Sequence, residues 1–145
     1  MSIFFVIPLD ARTKKNSPQV FSRLNKQTGR IFTKVLPSKN YLQFEKECMP
    51  FLNGLPRITK PVNLQAIFYM QTRRNVDLVG LLQSIDDILV NAGVLADDCR
   101  DIVASHDGSR VFYDKFNPRI EITITDLDGY VQWRDRSLNQ MRLPL

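Results

Sequence analysis

The amino-acid sequence predicts an α+β domain: a mixed sheet of four or five strands with two principal helices packed on it. Three stretches carry that expectation. From Asp77 to Gly93, apolar residues recur at three- and four-residue spacing, the period of an α-helix with one buried face. VNLQAIFYMQ, Val62 to Gln71, is continuously apolar in its middle, as a central strand is. RIEITITD, Arg119 to Asp126, alternates cleanly between apolar and polar residues, the pattern of a strand with one face on a core. The element order fits no dinucleotide-binding unit, and there is no glycine-rich phosphate loop.

Taken in order, Ile3 to Leu9 is a short apolar strand, ended by Pro8 and Asp10. ARTKKNSPQ follows as a basic loop, with Pro18 holding the chain away from helix. Gln19 to Asn25 and Arg30 to Leu36 read as strands joined by KQTG, a turn signal with Gly29 near its end. Together they make a hairpin carrying Arg23, Lys26, Arg30 and Lys34. Pro37 and Ser38 open a helix through about Phe51, with Ser38 as N-cap and Tyr41, Phe44, Glu45 and Cys48 at helical spacing. NGLPRITKP is a loop before the central strand, which runs through Thr72, Arg73, Arg74 and Asn75 into the long helix. That helix buries Leu78, Leu81, Leu82, Ile85, Ile88, Leu89 and Ala92. At ~100° per residue, Asp77, Gly80, Ser84, Asp87 and Asn91 fall on the opposite face, with Asp86 near the edge between the two. Gly93 stops the helix, the pair Asp97 and Asp98 follows, Cys99 to Ser105 reads as a strand and HDGSR as a turn. The domain spans residues 1–126, and residues 127–145, with Trp133, form a tail of little pattern.

At 145 residues the chain has the length of one domain and can bury roughly two thirds of its unfolded surface. A hydrophobic fraction of 43% with 10% aromatics excludes wholesale disorder. The net charge of +5 and pI near 9.4 favour a polyanionic partner. Cys48 and Cys99 make no disulfide framework and match no zinc spacing, so both read as small buried hydrophobes. A single histidine, His106, argues against His-cluster metal sites and a Ser-His-Asp triad, and it is assigned no role. MSIFFVIPLD lacks a basic n-region and reads as a strand rather than a signal peptide. Nothing approaches the ~18 apolar residues of a membrane span. The expectation is a soluble, cytoplasmic protein.

The acidic positions have a recognisable spacing. Asp77 opens the long helix, Asp87 and Leu89 form an Asp-x-Leu further along it, and Asp97 and Asp98 stand before a predicted strand. Lys14, Lys15 and Asn16 lie in the loop after the first strand, Arg73 and Arg74 precede Asp77, and the terminal strand reads RIEITIT. In these features residues 1–126 resemble the RusA family of Holliday junction resolvases, small phage-associated endonucleases that cut four-way DNA junctions. The family pattern runs Asp-x-Asp-Asn-x-x-Lys, then Asp-x-Leu on the same helix, then an Asp-Asp pair before a strand. Its second Asp is Val79 here, its Asn is Gly80 and its Lys is Gln83. This resembles a phage branch reading Asp-Leu-x-Asn-Leu-Leu, from which Gly80 also departs. No metal role passes to Val79, Gly80 or Gln83. The resemblance implies magnesium as cofactor, a homodimer, and branched DNA as partner in recombination and repair.

Phosphodiester hydrolysis needs a divalent ion to polarise the phosphoryl oxygen and make hydroxide from water. Magnesium takes hard oxygen ligands and keeps several waters. With the resemblance, Asp77 and Asp98 are the catalytic candidates, and Asp97 joins them as a metal ligand. The structural roles open to the same residues are an N-cap for Asp77 and a solvated turn for Asp97 and Asp98. Asp87 lies ~15 Å from Asp77 along the helix, whereas two metals in one site lie ~3.5–4 Å apart, so Asp87 is left as a structural acid. The helix carries the chain ~20 Å from Asp77, and the stretch from Gly93 to Asp98 returns at most ~17 Å. A site within one chain requires the returning strand to run antiparallel to the helix; otherwise a second chain completes it. Lys14, Lys15, Arg73 and Arg74 are the best phosphate contacts, because their loops lie at strand ends near the helix mouth. The hairpin cations are weaker candidates. The functional expectation is a magnesium-dependent endodeoxyribonuclease that nicks four-way junctions as a dimer. The alternative is a catalytically impaired branched-DNA-binding protein on the same fold, motivated by Val79, Gly80 and Gln83. A third reading is a small interaction protein whose charge is incidental.

Overall fold

A computed structural model of the chain describes residues 1–14 and 18–127; Lys15, Asn16 and the predicted tail from residue 128, Trp133 included, lie outside the described residues. Strand β1 (Ser2–Ile7) forms one edge of a five-stranded mixed sheet. It pairs antiparallel with β7 (Arg119–Asp126), which pairs antiparallel with β4 (Val62–Met70). Along the other side of β4 run β5 (Val103–Ser105) and β6 (Arg110–Tyr113), both parallel to it. The register builds one apolar face row by row: Ile7, Ile120 and Phe68, then Phe5, Ile122 and Ala66, then Ile3, Ile124 and Leu64. All but Ile3 and Phe5 are buried to 0% exposure. The α+β class, and the central place of β4, are as the sequence predicts.

Helix α1 (Lys39–Cys48) begins where predicted, with Tyr41 N donating to Ser38 Oγ at 3.2 Å. Beyond Cys48 the chain tightens into one 3₁₀ turn, Met49–Phe51, since Pro50 has no N–H to continue the α ladder. Helix α2 (Leu78–Asn91) crosses from the end of β4 to the start of β5, and the parallel pairing of those strands makes β4–α2–β5 a βαβ crossover. Leu81, Ile85, Ile88 and Leu89 are buried, as their spacing demands.

The other face of α2 departs from expectation, because Gly80 and Ser84 are buried as well. The chain after β1 lies across them. Lys14 N donates to Ser84 Oγ at 3.2 Å, Ser84 Oγ donates to Gly80 O at 3.0 Å, and Lys14 Nζ donates to Asp87 Oδ2 at 2.7 Å. On the same side Asn91 Nδ2 donates to Glu45 Oε1 of α1 at 2.7 Å. A Cβ at Gly80 would stand 3.2 Å from Asp77 Oδ2 and 3.5 Å from Thr13 Cγ2, so a bare backbone there lets Thr13 settle against the helix. Periodicity reports polarity, and small polar residues are compatible with cover by another segment.

Three further expectations are corrected. The strand predicted from Cys99 begins only at Val103, because Ile102 N and Val103 N both donate to Cys99 O, at 2.9 and 2.8 Å, and close a turn. Cys99 is exposed on that turn rather than buried, whereas Cys48 is buried in α1. HDGSR is a bend, with Ser109 N donating to His106 O at 3.1 Å and Gly108 at φ +85°, but the chain then resumes as β6, where no strand was expected. Those four residues are too few to show a period; pairing with Ile67–Met70 of β4 makes them a strand.

The predicted hairpin forms as a separate two-stranded sheet of β2 (Gln19–Leu24) and β3 (Ile31–Leu36). Asn25 N donates to Arg30 O at 2.9 Å, and Gly29, at φ +69°, donates its N–H to Asn25 O at 2.8 Å. Every residue from Val20 to Val35 is exposed, and none belongs to the hydrophobic core. Among the described residues, no helix is long and apolar enough to cross a membrane.

Candidate active site

The end of β4 and the end of β1 open on the same edge of the sheet. Gln71 N donates to Asp10 Oδ1 at 2.9 Å and so ties the two loops together, and Arg12 pairs with Asp10 at 3.5 Å. Between them lies a cleft of about 240 Å³ lined by Arg12, Thr13, Ser38, Asn40, Gln71, Arg74, Asn75 and others. It therefore borders the N-terminal ends of both helices. Unpaired N–H groups and the helix dipole make such ends electropositive. Arg74 and Arg12 add positive charge, offset in part by Asp10, which also lines the cleft and pairs with Arg12, and the balance suits an anion such as a backbone phosphate.

Asp77 sits at this mouth as the N-cap of α2, its Oδ1 accepting from Val79 N at 3.1 Å. Of the predicted phosphate contacts, Arg74 lines the cleft, while the Arg73 guanidinium lies over the Tyr113 ring, 4.6 Å from its centroid. Lys14 is engaged with Asp87, and Lys15 is outside the described residues.

Asp97 and Asp98 lie elsewhere. They follow the C-terminus of α2, a helix of 14 residues and hence ~21 Å long, whereas Asp77 precedes its N-terminus. The returning strand does run antiparallel to the helix, the condition for a site within one chain, but the two acids come before it. Val103 pairs with Val62 at the start of β4, and Asp77 lies beyond the end of β4. Asp97 Oδ1 accepts from Asp98 N at 2.8 Å and shapes the exposed turn. Among the described residues, no three His, Cys, Asp or Glu side chains are grouped so as to hold a metal ion. Asp77, Asp97 and Asp98 thus form no such group among the described residues.

The acid whose pKa does feel Asp98 is Asp86, and it belongs to an arrangement that sequence reasoning missed. Asp86 is 8% exposed, and its Oδ2 lies 2.8 Å from His106 Nε2, at the bend between β5 and β6. His106 Nδ1 lies 2.9 Å from Leu64 O. A carbonyl only accepts, so Nδ1 carries a hydrogen. A proton must then lie between Nε2 and Oδ2, since otherwise two lone pairs would face each other. The pair therefore holds one proton more than a neutral imidazole beside a carboxylate. Burial raises the Asp86 pKa, against the opposing pull of His106, and the hydrogen bond to Asp86 raises that of His106. Asp86 Oδ1 is buried without a hydrogen-bond partner. Two signals stood in the sequence: a carboxylate at the boundary of an apolar helix face, and the only histidine in the chain.

No protein-family model matches the chain, and no characterised protein matches it significantly.

Proposed function

We propose that this chain is a magnesium-dependent, structure-specific endodeoxyribonuclease that resolves four-way DNA junctions in recombination and repair, acting as a homodimer. The observation that carries the reading is the cleft holding Arg12 and Arg74 between two helix N-termini, whose lining runs to Val76, the residue before Asp77. That edge suits a carboxylate held next to bound phosphate. Arg74 and Arg12 serve as phosphate contacts, with Arg73 and Lys14 at the margin, and such contacts place the DNA without reading its sequence. Because no metal-holding group forms among the described residues of one chain, the reading has a second copy of the chain bring the acids to one ion.

A second reading is a branched-DNA-binding protein without cleavage. It is favoured by the separation of the three acids, together with Val79 and Gly80 in place of the family's Asp and Asn. The test is incubation of a synthetic four-way junction, beside a matched linear duplex, with magnesium and with chelator, using the unaltered protein and Asp77→Asn. Paired nicks that need both magnesium and Asp77 support the nuclease. Junction binding without nicks under any divalent ion moves the assignment to the binding protein. Equal affinity for junction and duplex, with no nicks, overturns both.

A further inference from the structure

The segment from Ala11 to Phe44 contains eight Lys and Arg residues and no Asp or Glu. The whole chain contains 20 basic and 15 acidic residues, so everything outside this segment is net acidic. Half of the eight, Arg23, Lys26, Arg30 and Lys34, stand on the β2–β3 hairpin and its turn. Among the described residues none of these four pairs with a carboxylate.

Pairing register divides the hairpin into two unlike faces. Phe21 lies opposite Lys34 and Arg23 opposite Phe32, which puts both rings and two cations on one face. Val20 opposite Val35, Ser22 opposite Thr33 and Leu24 opposite Ile31 make the other face, which has no charge. Directly opposed residues have Cβ atoms ~4.5–5.5 Å apart, so each ring stands next to a cation. The rings are open to solvent, Phe21 at 52% and Phe32 at 65% exposure. An isolated two-stranded hairpin is marginal in water, and exposed large apolar groups on one mark a surface that meets a partner.

We infer that the Phe21–Arg23–Phe32–Lys34 face is a nucleic-acid contact, on which unstacked bases lie against the two rings while the cations hold the adjoining phosphates. Aromatic rings alternating with cations are the chemistry that binds single strands without sequence preference. A continuous duplex covers each base with its neighbours, whereas a crossover interrupts the stack and presents base faces. The inference rests on the junction reading for its physiological target, but the binding of single-stranded DNA tests it independently. The charge asymmetry favours this occupant over a second copy of the chain, since the aromatic face is also the cationic one.

The experiment is fluorescence anisotropy of the full chain with a labelled oligodeoxythymidylate of about 16 nucleotides, beside nicking of the four-way junction. Phe21→Ala with Phe32→Ala weakens oligonucleotide binding roughly 5- to 150-fold for each ring that stacks. Arg23→Gln with Lys34→Gln reduces the slope of log affinity against log salt by about 0.7 for each cation removed. Ser22→Ala with Thr33→Ala, on the opposite face, leaves both unchanged. Oligonucleotide affinity unaltered by loss of the rings overturns the inference. So does a phenylalanine variant that changes the sedimenting mass and not the affinity, which would make the arm an interface between copies. Ring-dependent binding with no nicking by the unaltered protein sinks only the nuclease reading; nicking with ring-independent binding sinks only this one.

Discussion

Truncating His106 to alanine tests the buried proton-sharing pair most directly. Asp86 is 8% exposed and, among the described residues, has one oxygen without a partner and accepts a side-chain hydrogen bond from His106 alone. His106→Ala removes that bond, of the kind worth ~1.5–3 kcal/mol with a charged group, and the neutral bond to Leu64 O, worth about 1 kcal/mol. Protonation of Asp86 limits the cost of leaving its charge unpaired. The expected loss is about 3 kcal/mol at pH 6, which lowers the urea midpoint by roughly 1.5 M for a slope of about 2 kcal/mol/M. Asp86→Leu with His106→Leu removes the polar pair together and costs less than His106→Ala alone. The sign of the pH effect follows from linkage. The His106 pKa is raised from 6.5, so its contribution is complete below pH 6.5 and is lost as pH rises through the folded value. Asp86, raised from 3.8, acts in the same direction: its protonated form is favoured by folding, and that preference is lost as pH climbs through its folded value. The unaltered protein therefore loses stability as pH rises through the raised folded values of the pair, the His106 part of the loss falling above pH 6.5, and the double-leucine variant lacks this component. Urea unfolding followed by circular dichroism at a series of pH values measures both effects. A loss below about 0.5 kcal/mol for His106→Ala at pH 6, the range of a surface substitution, would refute the shared-proton argument. The same decline above pH 6.5 in the double-leucine variant would refute it equally.

Two other substitutions separate structural from chemical roles. Asp77→Ala removes the N-cap of α2 and lowers stability by about 1 kcal/mol, seen as a fall of roughly 3 °C in thermal midpoint, whereas Asp77→Asn retains a capping oxygen and keeps the midpoint. Equal midpoints for the two variants would show that the cap contributes nothing. Gly108→Ala places a Cβ 2.6 Å from Gln65 Nε2 at a backbone φ of +85°, and costs about 1–2 kcal/mol in urea unfolding. A neutral Gly108→Ala would mean that the bend between β5 and β6 relaxes freely.

The elements set by local periodicity were legible in the sequence. Leu81, Ile85, Ile88 and Leu89 recur at the helical period, and Ile120, Ile122 and Ile124 alternate, because one face of each element must leave water. Ser38 and Asp77 were readable as caps because their partners, Tyr41 N and Val79 N, lie only a few residues away. KQTG marked the hairpin turn through Gly29, whose positive φ has no side chain to strain.

Contacts between distant segments were not legible. Lys14 meets Ser84 and Asp87 across some seventy residues of sequence, and this is what buries the polar side of α2. Tertiary pairing turns Arg110–Tyr113 into a strand, since β4 supplies hydrogen-bond partners that no four-residue pattern announces. It also carries His106 to Asp86, because the bend between β5 and β6 follows β4 alongside the helix. The spacing of Asp77, Asp97 and Asp98 along the chain was plain, but chain distance does not determine spatial distance. A helix of 14 residues lies between them in the chain, so which of these acids come near one another is decided by the fold.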